Sequence, residues 1–152
     1  MLLYRIGKTK FANDLSGEGS RLYGGRWNQP GTSCVYCAQS RALALLEYTV
    51  NVNIEDIPRA LSITEIEILN IQIKEFNISE LPGNWDGIPS PSSTKDFGTK
   101  FLNEGEFGVF KIPSAIIPQE YNYLLNPLHA DRGKFKILSV QDFIFDTRIK
   151  LV

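Results

Sequence analysis

No apolar run in this 152-residue chain exceeds a few residues, and turn residues close most of them. That leaves no segment long enough to cross a membrane as a helix and favours short strands. "LLYRI" (2–6), "SCVYCA" (33–38), "FGVFKI" (107–112), "YNYLLNP", "KFKILSV" and "FIFDTRI" all read as β-type. "RALSITEIEI" (59–68) alternates like a strand, with a slip near Thr64-Glu65, and "ILNIQIKEF" continues it or begins another. The clearest helix is "SRALALLEYTVNV", with Ser40 as N-cap ahead of strong helix formers. "SSTKDFGTKFLNEG" reads as a second. Ser93 and Asp96 form an approximate capping box there, and Phe97 and Phe101 share a face. The glycine-rich "FANDLSGEGSRLYGG" suggests a short helical piece, and "LPGNWDGIPSP" a loop. Strands outnumber helices, and helices sit between groups of strands. The pattern predicts an α+β mixed-sheet fold in a single domain over residues 1–152.

Hydrophobic residues make up 43% and charged residues 22%, which suits a globular domain. The net charge of −1 offers no basic field for nucleic acid. The N-terminus, "MLLYRIGKTK", lacks the basic-then-apolar order of a signal peptide, so a cytoplasmic address is expected. Cys34 and Cys37 stand as C-V-Y-C on a strand-like segment, where i and i+3 point to opposite faces. No second pair follows, so packing thiols are expected and no metal site.

The informative residues are polar groups that a plain core would not select. Glu47 lies at i+4 from Leu43 and i−3 from Val50, at the border of a stripe written Leu43, Leu46, Val50. A carboxylate there either reaches solvent or an arginine, or is held for a purpose. Arg26 follows Gly24-Gly25, where missing side chains let backbone or ligand come close. Its planar fork suits phosphates and carboxylates, and equally a surface turn. Ser114 follows Pro113 at a strand end, a common turn position. His129, the one histidine, sits in an Asn-Pro turn and reads as a turn residue; Asp146 and Arg148 could pair along a strand. No phosphate loop, dinucleotide fingerprint or hydrolase elbow is present.

Taken in order, "GGRWNQPGTSCVYCAQSRALALLE", "FKIPSAIIPQEYNYLLNPLHADRGKFKI" and "FIFDTR" resemble the RES domain family. The matching residues are Arg26 in G-R-W-N, Tyr36 in V-Y-C-A, Glu47 in L-A-L-L-E and Ser114 in I-P-S, with the Asn126-Pro127-x-His129 turn and Phe145-Asp146-x-Arg148. The likeness runs from about Leu3 to about Arg148, while residues 52–106 match only in general character. It implies an ADP-ribosyltransferase-like fold, with a central cleft between strand-rich layers, and a bacterial toxin that consumes NAD as substrate. It also implies a partner, an Xre-like helix-turn-helix antitoxin, which would cover the site near Arg26 and Glu47. Leftover apolar surface would also support a homodimer.

The resemblance assigns Arg26, Tyr36, Glu47 and Ser114 to catalysis, and the expected chemistry is cleavage of the nicotinamide–ribose bond. Arg26 would grip phosphate, with Gly24-Gly25 letting the dinucleotide approach. Tyr36 would pack on the substrate or hydrogen-bond it. Glu47 would hold a ribose hydroxyl and stabilise the developing cation, and Ser114 would orient substrate or acceptor. Trp27 would offer a flat wall, Arg5 a second anion contact, and Gly25 and Asn126 further contacts to NAD. Water as acceptor makes a glycohydrolase and inorganic phosphate a phosphorylase. The alternatives are ADP-ribosyl transfer to a protein, and a non-enzymatic interaction domain built on a polar cluster.

Overall fold

In a computed structural model, residues 1–150 are described. Seven strands form one sheet: β1 (Leu2–Lys8), β2 (Val35–Ala38), β3 (Leu61–Ile68), β4 (Ile73–Glu75), β5 (Val109–Pro113), β6 (Tyr121–Leu125) and β7 (Phe135–Phe143). Their order is β4-β5-β6-β2-β1-β3-β7. β4 runs parallel to β5, and every other pairing is antiparallel. Three helices join them: α1 (Glu18–Tyr23), α2 (Arg41–Asn51) and α3 (Ser92–Glu104). The α+β mixed sheet expected from the sequence is the fold found.

The sheet has to curl. Only residues 69–72 link β3 to β4, and those strands stand five spacings apart in the sheet. Flat, the gap would be about 24 Å. Five Cα steps reach about 18 Å at most. Asn70, at φ +43°, turns the chain in this link. One face is therefore rolled inward and packs on itself without a helix. Leu3, Val35, Cys37, Ile66, Val109, Leu125 and Phe135 form that inner core. The expected strand-rich layers are thus two halves of one bent sheet.

The opposite face carries the helices. α2 lies over β1 and β2, where Leu43 and Ala44 pack with Ile6 and Ala38. α3 supplies Leu102, Phe97 and Phe101 to a cluster with Trp27, Phe110 and Leu124. Ser40 caps α2 as expected, its Oγ accepting from the Leu43 amide at 3.1 Å. The capping box expected in α3 does not form. Pro91 holds the N-cap position, Ser93 donates to Asn84 Oδ1, and Asp96 accepts from Gln29. The strand slip falls one residue later than expected, between Glu65 and Ile66. "FIFDTRI" is not a continuous strand: β7 stops at Phe143, and a 3-10 turn takes Thr147–Ile149. Asp146 and Arg148 do pair, at 2.6 Å.

Candidate active site

Tyr36 and Asn122 belong to the helix-bearing face. Tyr36 opposes Leu124 across β2 and β6, and Ala38 opposes Asn122. The Tyr36–Asn122 diagonal is therefore about 7–8 Å between backbones. Ser114 follows the last residue of β5 with the parity of Ile112, which opposes Asn122. Glu47 comes down from α2 onto this group.

Glu47 is held rather than merely tolerated. Its Oε1 accepts from Ser114 Oγ at 2.8 Å and from Asn122 Nδ2 at 2.5 Å. Oε2 has no hydrogen-bond partner among the described residues. The stripe written from the sequence needs correcting: Leu43, Ala44 and Thr49 are buried, whereas Val50 is 57% exposed. Glu47 thus sits four residues from Leu43 and three from Ala44, on the side of the helix that faces the sheet. Ser114 is wholly buried, and its Oγ also accepts from the amides of Ile116 and Ile117. Its hydroxyl proton is committed to Glu47, so Ser114 positions the carboxylate.

A second network builds the Arg26 hinge. Tyr36 Oη donates to Asn28 Oδ1 at 2.6 Å and accepts from the Trp27 amide at 2.9 Å. Asn28, fully buried, passes its amide on to the carbonyls of Ser20 and Thr32. The tyrosine therefore staples the turn that carries Arg26, and both hydrogen bonds of its hydroxyl are internal. Burial holds the Tyr36 phenol well above its usual range, and the nearby Arg26 guanidinium offsets this only in part. The glycines make room for the fold. A Cβ on Gly25 would stand 2.5 Å from Tyr36 Oη, and one on Gly24, at φ +73°, would press on Asn28 O and Pro30.

Arg26 donates through Nη1 to the carbonyls of Trp85 and Gly87, both at 2.9 Å. Its Nε and Nη2 have no partner among the described residues. Helix α3 fixes the hinge from the other side. Lys95 Nζ donates to Gly25 O at 2.8 Å, and Thr99 Oγ1 accepts from the Gln29 amide at 2.8 Å.

Other expected contacts fall elsewhere. Arg5 shares the inner face with Leu3, opposite Tyr36, because side chains alternate along β1. Its guanidinium donates to the carbonyls of Phe11, Ala12 and Asp14, tying down that loop. Trp27 is 3% exposed and packs edge-on against Phe97, so it belongs to the core instead of forming an open wall. Asn126, also buried, bridges Leu102 O and the Leu128 amide and joins β6 to the end of α3. His129 Nδ1 accepts from the Asp131 amide, as a turn histidine would. Cys34 and Cys37 are free, buried and in different clusters; burial pushes both thiols up, Cys37 to about 12. Two cavities, about 320 and 310 Å³, lie around Lys8, and neither is lined by Arg26, Tyr36, Glu47 or Ser114.

Asn122 was not anticipated. The signal for Asn122 was present in "YNYLL", where strand alternation sets an amide beside Leu124 on a packed face.

The RES domain family model matches residues 2–146. The chain belongs to the RES domain family. It is 38% identical to "Toxin Res" of Yersinia enterocolitica over 99% of this chain and 100% of that protein. It is 35% identical to "Prs ADP-ribosylating toxin" of Sphingobium sp. over 93% of this chain and 90% of that one. Among solved structures, a chain of the M. tuberculosis MbcT–MbcA toxin–antitoxin complex matches with a TM-score of 0.78 at 16% identity. That match covers 93% of this RES chain and 83% of the other, so the two share a fold. The expected α+β mixed-sheet domain is the architecture found, and it is shared with that toxin–antitoxin chain. No helix among the described residues is long and apolar enough to cross a membrane.

Proposed function

We propose that this RES chain is the toxin of a toxin–antitoxin pair and consumes NAD by breaking the nicotinamide–ribose bond. Water or inorganic phosphate is the acceptor. The observation that carries the reading is the state of Glu47, a carboxylate clamped through one oxygen by Ser114 and Asn122 with the other oxygen unclaimed. As the bond breaks, its electron pair leaves with the nicotinamide nitrogen and positive charge grows on the ribose. A carboxylate already fixed in place stabilises that charge without reorganising. Arg26, with Nε and Nη2 unengaged, supplies the anion contact for phosphate. Tyr36 and Asn28 hold its turn, and Ser114 and Asn122 aim Glu47.

The Sphingobium relative's name favours a second reading, transfer of ADP-ribose to a protein side chain. Incubation of the purified chain with NAD separates these routes. Nicotinamide released independently of phosphate marks a glycohydrolase. Release that requires phosphate and yields a phosphorylated ADP-ribose marks a phosphorylase. Release only with an added protein, which becomes labelled, marks a transferase. No release under any condition contradicts the proposal.

A chain that destroys NAD in its own cell needs restraint, and the proposed partner is an Xre-like helix-turn-helix antitoxin. Tyr23, 84% exposed, and Ile88, 93% exposed, flank the Arg26 hinge and the loop it binds, offering apolar anchors there.

A further inference from the structure

We infer that Lys95, not Arg5, is the second cation of the substrate site, and that it grips the pyrophosphate of the dinucleotide together with Arg26. This rests on the NAD reading above. Lys95 Nζ lies 2.8 Å from Gly25 O, the carbonyl of the peptide bond that leads into Arg26. The Arg26 guanidinium in turn sits on the carbonyls of Trp85 and Gly87. That loop is folded against the start of α3, where Ser93 donates to Asn84 Oδ1. Both cations are therefore tied to the same hinge, Lys95 through the Gly25 carbonyl and Arg26 through the carbonyls of the 84–91 loop.

Neither cation has a carboxylate partner among the described residues. The nearest acidic residue in sequence, Asp96, accepts from Gln29 instead. Lys95 also occupies the first turn of a helix, where the backbone dipole disfavours a cation. A single carbonyl satisfies one of its three N–H donors and none of its charge. Two unpaired cations on one hinge fit an anion with two charged groups in sequence, as a pyrophosphate has.

The test compares Lys95→Gln and Lys95→Arg with the parent chain in NAD cleavage, with inorganic pyrophosphate and nicotinamide as inhibitors. Gln keeps a donor and loses the charge. It should raise KM for NAD and Ki for pyrophosphate by about tenfold each, as expected for one lost charge-assisted contact. kcat and the Ki for nicotinamide should stay within about twofold of the parent. Arg should restore both constants to within about threefold. Unchanged KM and pyrophosphate Ki in Lys95→Gln would overturn the inference while leaving NAD cleavage intact. So would equal losses in both variants, which would assign Lys95 to holding Gly25 O alone. A parent chain that releases no nicotinamide removes the underlying reading instead.

Discussion

Ser114 donates a hydrogen bond from its hydroxyl to Glu47 across 2.8 Å, from the end of β5 to the middle of α2. The two residues are 67 positions apart in sequence, so the contact exists only once the sheet and helix are assembled. It makes the serine a support for the carboxylate. Ser114→Ala should cost about 1–3 kcal/mol of stability, because the Ile116 and Ile117 amides lose a buried acceptor. NAD turnover should fall through kcat with little change in KM, since the buried Ser114 hydroxyl is spent on Glu47. Denaturant unfolding and steady-state kinetics check both halves. A variant with normal kcat would remove Ser114 from the positioning of Glu47.

Tyr36 plays the matching part for Arg26. Tyr36→Phe strands Asn28 Oδ1 and the Trp27 amide, so a loss of about 1–3 kcal/mol is expected. The loosened hinge should raise KM for NAD more than it lowers kcat. Collapse of kcat at unchanged KM would show that the hydroxyl acts on the reacting atoms.

Stability should fall on the alkaline side. The folded-state pKa values of Cys34, Cys37 and Tyr36 all lie above their ordinary values because burial opposes the charged forms. Each group therefore binds its proton more tightly when folded. Its contribution is full below the unfolded pKa and is lost as pH rises toward the folded one. The decline should begin near pH ~8.5, where unfolded thiols titrate. Cys37→Ala should flatten the part of the slope between there and about 12. Thermal unfolding across pH 7–11 reads this out. A flat profile in the parent chain would contradict the burial of these groups.

Much of this fold was legible because its signals are local. Ser40 before an Ala/Leu-rich run announces α2, and period-two alternation announces β3. The curl of the sheet was not legible, since it follows from pairing β4 with β5 across a four-residue link from β3. Arg5 shows the same limit at one residue. Alternation says that it shares a face with Leu3, but only the assembled sheet says which face is rolled inward. Gly25 invited a ligand by sequence, whereas the molecule fills that space with its own Tyr36. Asn122 was readable in principle, as an amide in an apolar alternation. What it holds was not, because Glu47 lies 75 positions away.

The account's central claim is that Glu47 stabilises a cationic transition state on NAD, and Glu47→Gln tests it most directly because shape is kept and charge is removed. Nicotinamide release should be measured for the parent and the variant at saturating NAD, alongside thermal unfolding of both. The parent should release nicotinamide. The variant should be slower by about 10²–10³-fold, the size of one lost electrostatic stabiliser. Its unfolding temperature should hold or rise, because a partly buried charge is relieved. Full turnover in Glu47→Gln, or an intact parent chain that releases no nicotinamide, would contradict the account.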